Sequence, residues 1–205
     1  MLELRLRGVS KYFGSRRVFQ GISETAREGQ CLVVAGPNGS GKSTLLRIIA
    51  GLLYPTDGEV SISKNGQTFD EDQRRDVIGM VAPDIALYDE LSAIENLRFF
   101  SRVRGAPAGE QRLIEILDLV GLSGREGDLL ASFSSGMKQR LKYAFALLHN
   151  PGILLLDEPS ANLDSAGLKM ADTLIIKQKT AGLVVLATND QRELAYGDKV
   201  IELGN

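Results

Sequence analysis

The amino-terminal part of the chain alternates apolar and charged side chains. Residues 2–9 read LELRLRGV, and residues 18–30 read VFQGISETAREGQ. A period of two is typical of a strand with one buried face and one solvated face. The pattern predicts an antiparallel region of short strands and turns.

Three later segments are almost entirely apolar. They are CLVVA at 31–35, ILLLD at 153–157 and LVVLA at 183–187. Strands that are buried on both faces have this composition, and two of these segments lead into sequence with helical character. We therefore predict an α/β fold in which a buried, mostly parallel sheet has helices on both faces.

Residues 84–150 show helical spacing and no further apolar strand. Leu113, Ile116, Leu117 and Val120 fall on one stripe of a predicted helix. The sequence thus predicts one domain over residues 1–205, with a core of 1–83 and 151–205 and a helical insertion of about 84–150.

Composition narrows the possible partners and surroundings. The 205 residues are 43% hydrophobic and carry a net charge of -2, without a local basic patch, so nucleic acid is not an expected partner. The single cysteine, Cys31, lies in an apolar segment and is expected to be a buried hydrophobe in a reducing cytoplasm. No apolar run approaches the ~20 residues that cross a bilayer, so a membrane role is expected to depend on a partner.

The first candidate site is a glycine-rich segment between a predicted strand and a predicted helix. Its residues are Gly36, Pro37, Asn38, Gly39, Ser40, Gly41, Lys42, Ser43 and Thr44, which satisfy G-x-x-x-x-G-K-[ST]. Backbone N–H groups of such a loop surround phosphate oxygens, while Lys42 reaches the β and γ phosphates and Ser43 binds Mg²⁺. We predict a nucleoside triphosphate site in a P-loop NTPase core; the alternative is a plain glycine-rich turn.

Two adjacent carboxylates end the second apolar strand. Ligands bind at the carboxyl ends of strands in an open parallel sheet, which is where Asp157 and Glu158 stand. Neighbouring strand residues point to opposite faces, so different tasks are expected. Asp157 fits the Mg²⁺ shell, and Glu158 fits a group that orients or deprotonates the attacking water. The alternative is a pair of solvated acids at a loop edge.

The order of three further segments narrows the family. FSSGMKQRL at 133–141 resembles the LSGGQ signature of the ATP-binding cassette (ABC) family, SANLD at 160–164 resembles its D-loop, and YPTDGEV at 54–60 resembles its segment after the phosphate-loop helix. The resemblance covers essentially the whole chain. It implies an ATP-binding, ATP-hydrolysing subunit with Mg²⁺ that powers a membrane transporter.

The resemblance also implies a second cassette and a base-stacking ring. Ser134, Ser135 and Gly136 offer hydroxyls and N–H groups at a helix start, which favours an anion. In the family that anion is the γ phosphate held by another subunit, so we expect a homodimer with Asp164 at the interface. Phe13 is expected to stack on adenine, with Tyr12 as the neighbouring alternative; a plain core or surface aromatic is the other interpretation.

The chain departs from the family pattern at two positions. Pro83 stands where the family has a glutamine that touches Mg²⁺, and Asp84 would substitute as a metal ligand; otherwise Asp84 caps or bends the loop. Asn189 stands at the position of the family's γ-phosphate histidine, and the one histidine, His149, is expected to cap a helix end.

An amide donates a hydrogen bond to a phosphate oxygen, but it carries no charge. If a contact worth about 1.5–3 kcal/mol is weakened, Asn189 should slow hydrolysis by about one or two powers of ten relative to a histidine-bearing protein. The alternative is that Asn189 only ends its strand.

The leading hypothesis is an ATPase subunit on the inner face of the cell membrane, attached through a transmembrane subunit. The FSSGM form of the signature is similar to that of drug or polysaccharide exporters and of the haem-exporter subunit of cytochrome c maturation. The rival hypothesis is an ATP-gated assembly switch that uses little hydrolysis. A DNA-repair or translation ATPase of the same superfamily fits less well, because those chains usually carry two cassettes or long coiled-coil insertions.

Overall fold

The computed structural model describes residues 1–204. Its strands are β1 (Leu2–Phe13), β2 (Arg16–Arg27), β3 (Cys31–Ala35), β4 (Asp57–Lys64), β5 (Gln67–Thr68), β6 (Ile78–Val81), β7 (Ile153–Asp157), β8 (Leu183–Thr188) and β9 (Lys199–Glu202). Its helices are α1 (Lys42–Ala50), α2 (Glu71–Val77), α3 (Ala93–Val103), α4 (Glu110–Leu119), α5 (Ser135–Leu147), α6 (Ser165–Ala181) and α7 (Gln191–Leu194). A 3-10 turn covers Leu130–Ser132.

The strands form two sheets, as the two hydrophobic patterns predict. An antiparallel sheet has the order β2-β1-β4-β5, and a sheet with parallel pairing has the order β6-β7-β8-β3-β9. In the second sheet Ala35 pairs with Thr188, and Asp157 pairs with Ala187. The carboxyl ends of β3, β7 and β8 therefore meet at one edge, and the predicted α/β fold class is confirmed.

The parallel sheet separates two hydrophobic clusters. Along β3, Cys31 and Val33 point into the cluster that contains the apolar faces of α4, α5 and α6. Leu32 and Val34 point into the other cluster, with α1 and the inner face of the antiparallel sheet. Because both faces of β3 are buried, its sequence has no polar alternation.

Helices α3, α4 and α5 occupy the predicted insertion between β6 and β7. The predicted stripe of α4 and the residue after it is fully buried: Leu113, Ile116, Leu117 and Val120 each have 0% exposure. Helix α5 packs on β6, so the insertion shares a hydrophobic cluster with the sheet. Across residues 1–204, no helix combines the length and the apolarity that a membrane crossing requires.

Helix α2 is absent from the sequence prediction. None of its residues is buried, so it has no apolar stripe for periodicity to detect. Its start is instead marked by a capping box, in which Asp70 accepts from the Gln73 N–H at 2.8 Å and the Gln73 side chain accepts from the Asp70 N–H at 3.1 Å.

Candidate functional site

The phosphate-binding loop, residues 36–44, depends on glycine at two positions. Gly36 has φ +151°, and a Cβ there would lie 2.4 Å from the Leu203 carbonyl oxygen. Gly41 has φ +102°, and a Cβ there would lie 2.4 Å from Cγ1 of Val18. Close backbone packing and a left-handed conformation therefore exclude larger residues at both positions.

Lys42 begins α1 and folds back over this loop. Its side chain is almost fully buried, and Nζ donates to the carbonyl oxygens of Gly36 at 2.8 Å and Pro37 at 3.1 Å. The start of α1 has no side-chain cap and no acidic residue in its first turn. The loop therefore presents a lysine ammonium and an uncapped helix start to the same space, an arrangement that suits an anion.

Asp157, at the end of β7, is a buried carboxylate with an unpaired oxygen. Only 2% of the residue is exposed, and Oδ1 has no hydrogen-bond partner. Burial raises the pKa of Asp157, the nearby Ser43 hydroxyl lowers it, and the charge of Glu158 raises it again. An unpaired buried carboxylate oxygen close to a serine hydroxyl fits a hard cation such as Mg²⁺.

Glu158 lies just after the strand, not on it. Its backbone is left-handed, with φ +50°, and its N–H donates to the Ala187 carbonyl oxygen at 3.0 Å. The different directions of Asp157 and Glu158 thus come from a turn, and the alternation of strand faces does not explain them. A non-glycine residue in this conformation is strained, which is common at functional sites.

One groove of about 280 Å³ brings together Phe13, Glu158 and much of the phosphate-binding loop. Its lining consists of Phe13, Arg16, Val18, Asn38, Gly39, Gly41, Lys42, Ser43, Thr44 and Glu158. Arg16 and Val18 were missed by sequence reasoning. Both residues are on β2, which runs antiparallel to β1. Because Arg16 pairs with Phe13 across the two strands, the start of β2 reaches the groove.

Phe13 is exposed at the end of β1. Its exposed fraction is 53%, so it is not a core aromatic, and the ammonium of Lys11 lies 5.1 Å from its ring centroid. Tyr12, the alternative, is partly buried, and its backbone N–H donates to the Thr56 hydroxyl at 3.1 Å. Phe13 is thus the aromatic side chain of this groove, with ring surface available for stacking.

Asn189 follows β8 and contacts the phosphate-binding loop. Its Nδ2 donates to Oδ1 of Asn38 at 2.9 Å. His149 lies elsewhere, because its Nε2 contacts the carbonyl oxygen of Ile78, at the amino end of β6, at 3.0 Å. The expectation that His149 caps its own helix is therefore wrong, since its hydrogen bond goes to the neighbouring strand.

Asp84 lies close enough to Asp157 for its charge to raise the pKa of that carboxyl, but its hydrogen-bonded partner is on α1. An Asp84 carboxylate oxygen lies 2.8 Å from the guanidinium of Arg47, on the side of α1 that lines a different cavity. The preceding carbonyl of Pro83 accepts from Nζ of Lys142 at 2.6 Å. An ion pair with Arg47 thus engages the Asp84 carboxylate in this structure, and its metal role stays a prediction.

The signature segment is separate from the groove of its own chain. Ser134 caps α5 by accepting from the Met137 N–H at 3.2 Å, and both Ser134 and Ser135 are exposed. Gly136 is close to the backbone of Asn162, since a Cβ on Gly136 would lie 3.0 Å from that carbonyl oxygen. None of the three residues from Ser134 to Gly136 lines the phosphate-loop groove.

Asp164 caps the next helix. Its Oδ1 accepts from the Gly167 N–H at 2.8 Å and pairs with the guanidinium of Arg140 on α5. These two contacts lower the pKa of Asp164. The D-loop segment and the signature helix are therefore joined by an ion pair within the chain.

Comparison with known proteins agrees with this geometry. The family model described as ABC transporter matches residues 19–161. The Fe(3+) ions import ATP-binding protein of Escherichia coli (strain K12) is 38% identical over 204 residues, which are 97% of this chain and 58% of that protein. The linearmycin resistance ATP-binding protein of Bacillus subtilis (strain 168) is 32% identical over 192 residues, 93% of this chain and 62% of that protein.

Solved structures show the same fold. The ATP-binding subunit of an ABC transporter superimposes with a TM-score of 0.86 at 28% identity, covering 98% of this chain and 85% of that chain. A dimeric ATP-binding cassette in a post-hydrolysis state, bound to ADP and Pi, gives a TM-score of 0.83 at 30% identity, covering 98% of this chain and 94% of that chain.

The chain spans 54% to 62% of the length of the curated relatives that it matches. Within that span the phosphate-binding loop, the paired carboxylates and the signature segment occur in one fold. The family model covers more than half of the 205 residues. The chain therefore belongs to the ABC transporter family.

Proposed function

We propose that this chain binds ATP, hydrolyses it with Mg²⁺, and thereby powers a membrane transporter. The observation that carries the proposal is the single groove that joins Lys42, Ser43 and Glu158, with the unpaired oxygen of Asp157 beside it. Family membership implies ATP binding, and these residues are the types that phosphoryl transfer requires.

Each side chain has a task that follows from its position. Lys42 exchanges its two loop carbonyl partners for the β and γ phosphates, which are better partners for an ammonium. Ser43 and Asp157 would hold Mg²⁺, which supplies charge neutralisation between the phosphates. Glu158 orients the attacking water and accepts its proton, and Phe13 stacks on the base.

A second cassette completes the site. The exposed start of α5, at Ser134, Ser135 and Gly136, offers a hydroxyl and free N–H groups that no phosphate of the same chain reaches. The similar cassette that is dimeric when bound to ADP and Pi supports a dimer of this chain as well. We therefore propose a homodimer whose two grooves are each closed by the partner's signature segment.

A transmembrane subunit would bind at the cavity beside Asp84. This cavity of about 640 Å³ lies between α1 and β6 on one side and α3 and α5 on the other. Its lining combines the exposed apolar side chains of Leu52 and Val103, which are 70% and 67% exposed, with charged residues such as Arg47 and Asp84. We place the chain on the inner face of the cell membrane through this partner, and we propose export because of the signature form and the linearmycin resistance relative.

The proposal is tested by phosphate release from purified protein with MgATP. The parent should turn over slowly, and Glu158→Gln should reduce the rate by about a hundredfold or more while nucleotide still binds. Glu115→Gln, an exposed glutamate on α4, is the matched control and should keep the parent rate. ATP-dependent dimers of Glu158→Gln should elute earlier in size-exclusion chromatography. An unchanged rate in Glu158→Gln would exclude the assigned base.

The alternative function is an ATP-gated assembly switch, which Asn189 favours because an amide carries no charge for catalysis. A transport motor reconstituted with its membrane subunit must stop after one cycle with a non-hydrolysable ATP analogue. A switch would release or bind its partner equally well with ATP and with the analogue.

A further inference from the structure

Two asparagine side chains meet at the tip of the phosphate-binding loop. They come from positions 151 residues apart, and Nδ2 of Asn189 donates to Oδ1 of Asn38 at 2.9 Å. We propose that Asn38 is a positioning residue, whose side-chain oxygen orients the Asn189 amide so that its N–H groups face the terminal phosphate of ATP. This inference rests on the proposed ATP site.

The argument begins with the symmetry of an amide. The terminal torsion of asparagine has a broad, roughly two-fold profile, so an exposed Asn189 would present its NH2 group or its oxygen almost equally. The two orientations have opposite effects on a phosphate, because NH2 donates a hydrogen bond whereas the carbonyl oxygen repels another oxygen. A fixed acceptor beside Asn189 selects the orientation in which NH2 faces the loop.

The position of Asn189 determines which phosphate it reaches. Strand β8, which it follows, lies between β7 and β3, the strands that lead to Glu158 and to the loop. Asn38 and Glu158 line the same groove as Phe13. With the base on Phe13, the triphosphate runs toward Glu158, so Asn189 adjoins its γ end. One N–H of Asn189 then stays with Asn38, and the other is free for the γ phosphate.

The hydrogen bonds of Thr188 and Asp190, the sequence neighbours of Asn189, go to groups other than its amide. The Thr188 hydroxyl accepts from the Asp190 N–H at 2.9 Å. The Asp190 carboxylate accepts from the backbone N–H and from the guanidinium of Arg192. These groups therefore do not compete for the Asn189 amide, and Asn38 is left to set its orientation.

The test measures nucleotide affinity in protein that does not turn over. In the Glu158→Gln background, dissociation constants for MgATP and MgADP are compared among the parent, Asn38→Ala, Asn189→Ala and the double variant. Asn189→Ala should weaken ATP binding about threefold to tenfold and leave ADP binding within about twofold, because only ATP has the γ phosphate. Asn38→Ala should do the same, and the double variant should be no weaker than either single variant.

Comparison of the ATP and ADP affinities distinguishes a loss of Asn189 orientation, which affects only ATP, from damage to the phosphate-binding loop, which affects both nucleotides. If Asn38→Ala weakens ATP and ADP equally, if it changes neither, or if the two substitutions multiply, the inference is wrong. Gln111→Ala, which truncates an exposed amide on α4, serves as the control and should change neither affinity. Failure of the proposed function appears in a different assay, as absence of phosphate release by protein with intact Glu158.

Discussion

The carboxylate of Asp84 lies 2.8 Å from the guanidinium of Arg47. Arg47 is on α1, one helical turn after Ser43. The Asp84 and Arg47 side chains are 59% and 41% exposed, so the pair contributes at most about 1 kcal/mol to stability. Asp84 is thus paired with Arg47 close to Ser43 and Asp157, the two residues that we propose hold Mg²⁺.

We therefore expect Asp84→Ala to fold normally and to require the same Mg²⁺ concentration for half-maximal ATPase activity, within about twofold. Asp157→Asn should abolish Mg²⁺-dependent turnover, because it removes the buried carboxylate. Magnesium titrations of the three proteins provide the comparison. A rise of about tenfold in the Mg²⁺ requirement of Asp84→Ala would instead support the metal role that the sequence predicts for this residue.

Asn189→His should increase the rate of hydrolysis. An imidazole at the end of β8 can donate to the γ phosphate and can also carry a positive charge, whereas the amide supplies only a neutral contact. The expected gain in kcat is about one or two powers of ten, with little change in KM. Steady-state kinetics with MgATP measure it. Asn189→Ala is the matched control and should fall below the parent, and equal kcat values for all three proteins would contradict the prediction.

Gly41→Ala should damage the loop more than Gly39→Ala. Both residues have positive φ, +102° and +79°, so an alanine is strained at either position. At Gly41 the new Cβ would also collide with the Val18 side chain, whereas a Cβ on Gly39 would have no neighbouring atom within 4 Å. Strain alone destabilises by about 1–2 kcal/mol, and the collision should add to it.

Thermal unfolding and ATP affinity of the two variants test this difference. Gly41→Ala should unfold at a lower temperature than Gly39→Ala and bind ATP less tightly. Equal losses in the two variants would show that backbone strain, without the contact to Val18, determines the effect.

His149 should make the protein sensitive to mild acid. Burial, assisted by the charge of Arg104, lowers the pKa of His149 from 6.5 to about 4. Its protonated Nε2 donates a hydrogen bond to the Ile78 carbonyl oxygen, and Nδ1 is buried without a partner. The imidazole is therefore neutral in the folded protein. Between these two pKa values the unfolded chain binds more protons than the folded chain, and stability falls as the pH falls through that window.

His149→Gln removes this titration while keeping a side-chain donor for the Ile78 carbonyl. When the pH is lowered from about 7.5 to about 5, the melting temperature of the variant should therefore decrease less than that of the parent. Melting curves at both values decide the question. Parallel losses in the two proteins would assign the acid sensitivity to other groups.

Local pattern was enough to predict the elements around the nucleotide site. The apolar runs at Cys31–Ala35 and Ile153–Asp157 are buried strands, and the glycine-rich segment lies between the first of them and α1. These predictions succeed because burial on both faces and the need for positive φ restrict which residues are possible at each position.

Contacts between distant segments were beyond the same reasoning. Nothing near Asn189 in sequence indicates that Asn38 is its partner, and nothing near Asp84 indicates Arg47. An exposed polar side chain has several possible partners of similar energy, so tertiary placement selects one. The turn at Glu158 was missed because its backbone conformation is stabilised by the Ala187 carbonyl on a neighbouring strand.

The left-handed backbone of Glu158 has a consequence for laboratory evolution. Holding a non-glycine residue in that conformation opposes folding by about 1–2 kcal/mol, and glycine would remove the penalty. Selection for heat resistance alone should therefore tend to discard this glutamate, and a thermostable library of this protein would need an activity screen at every round to retain it.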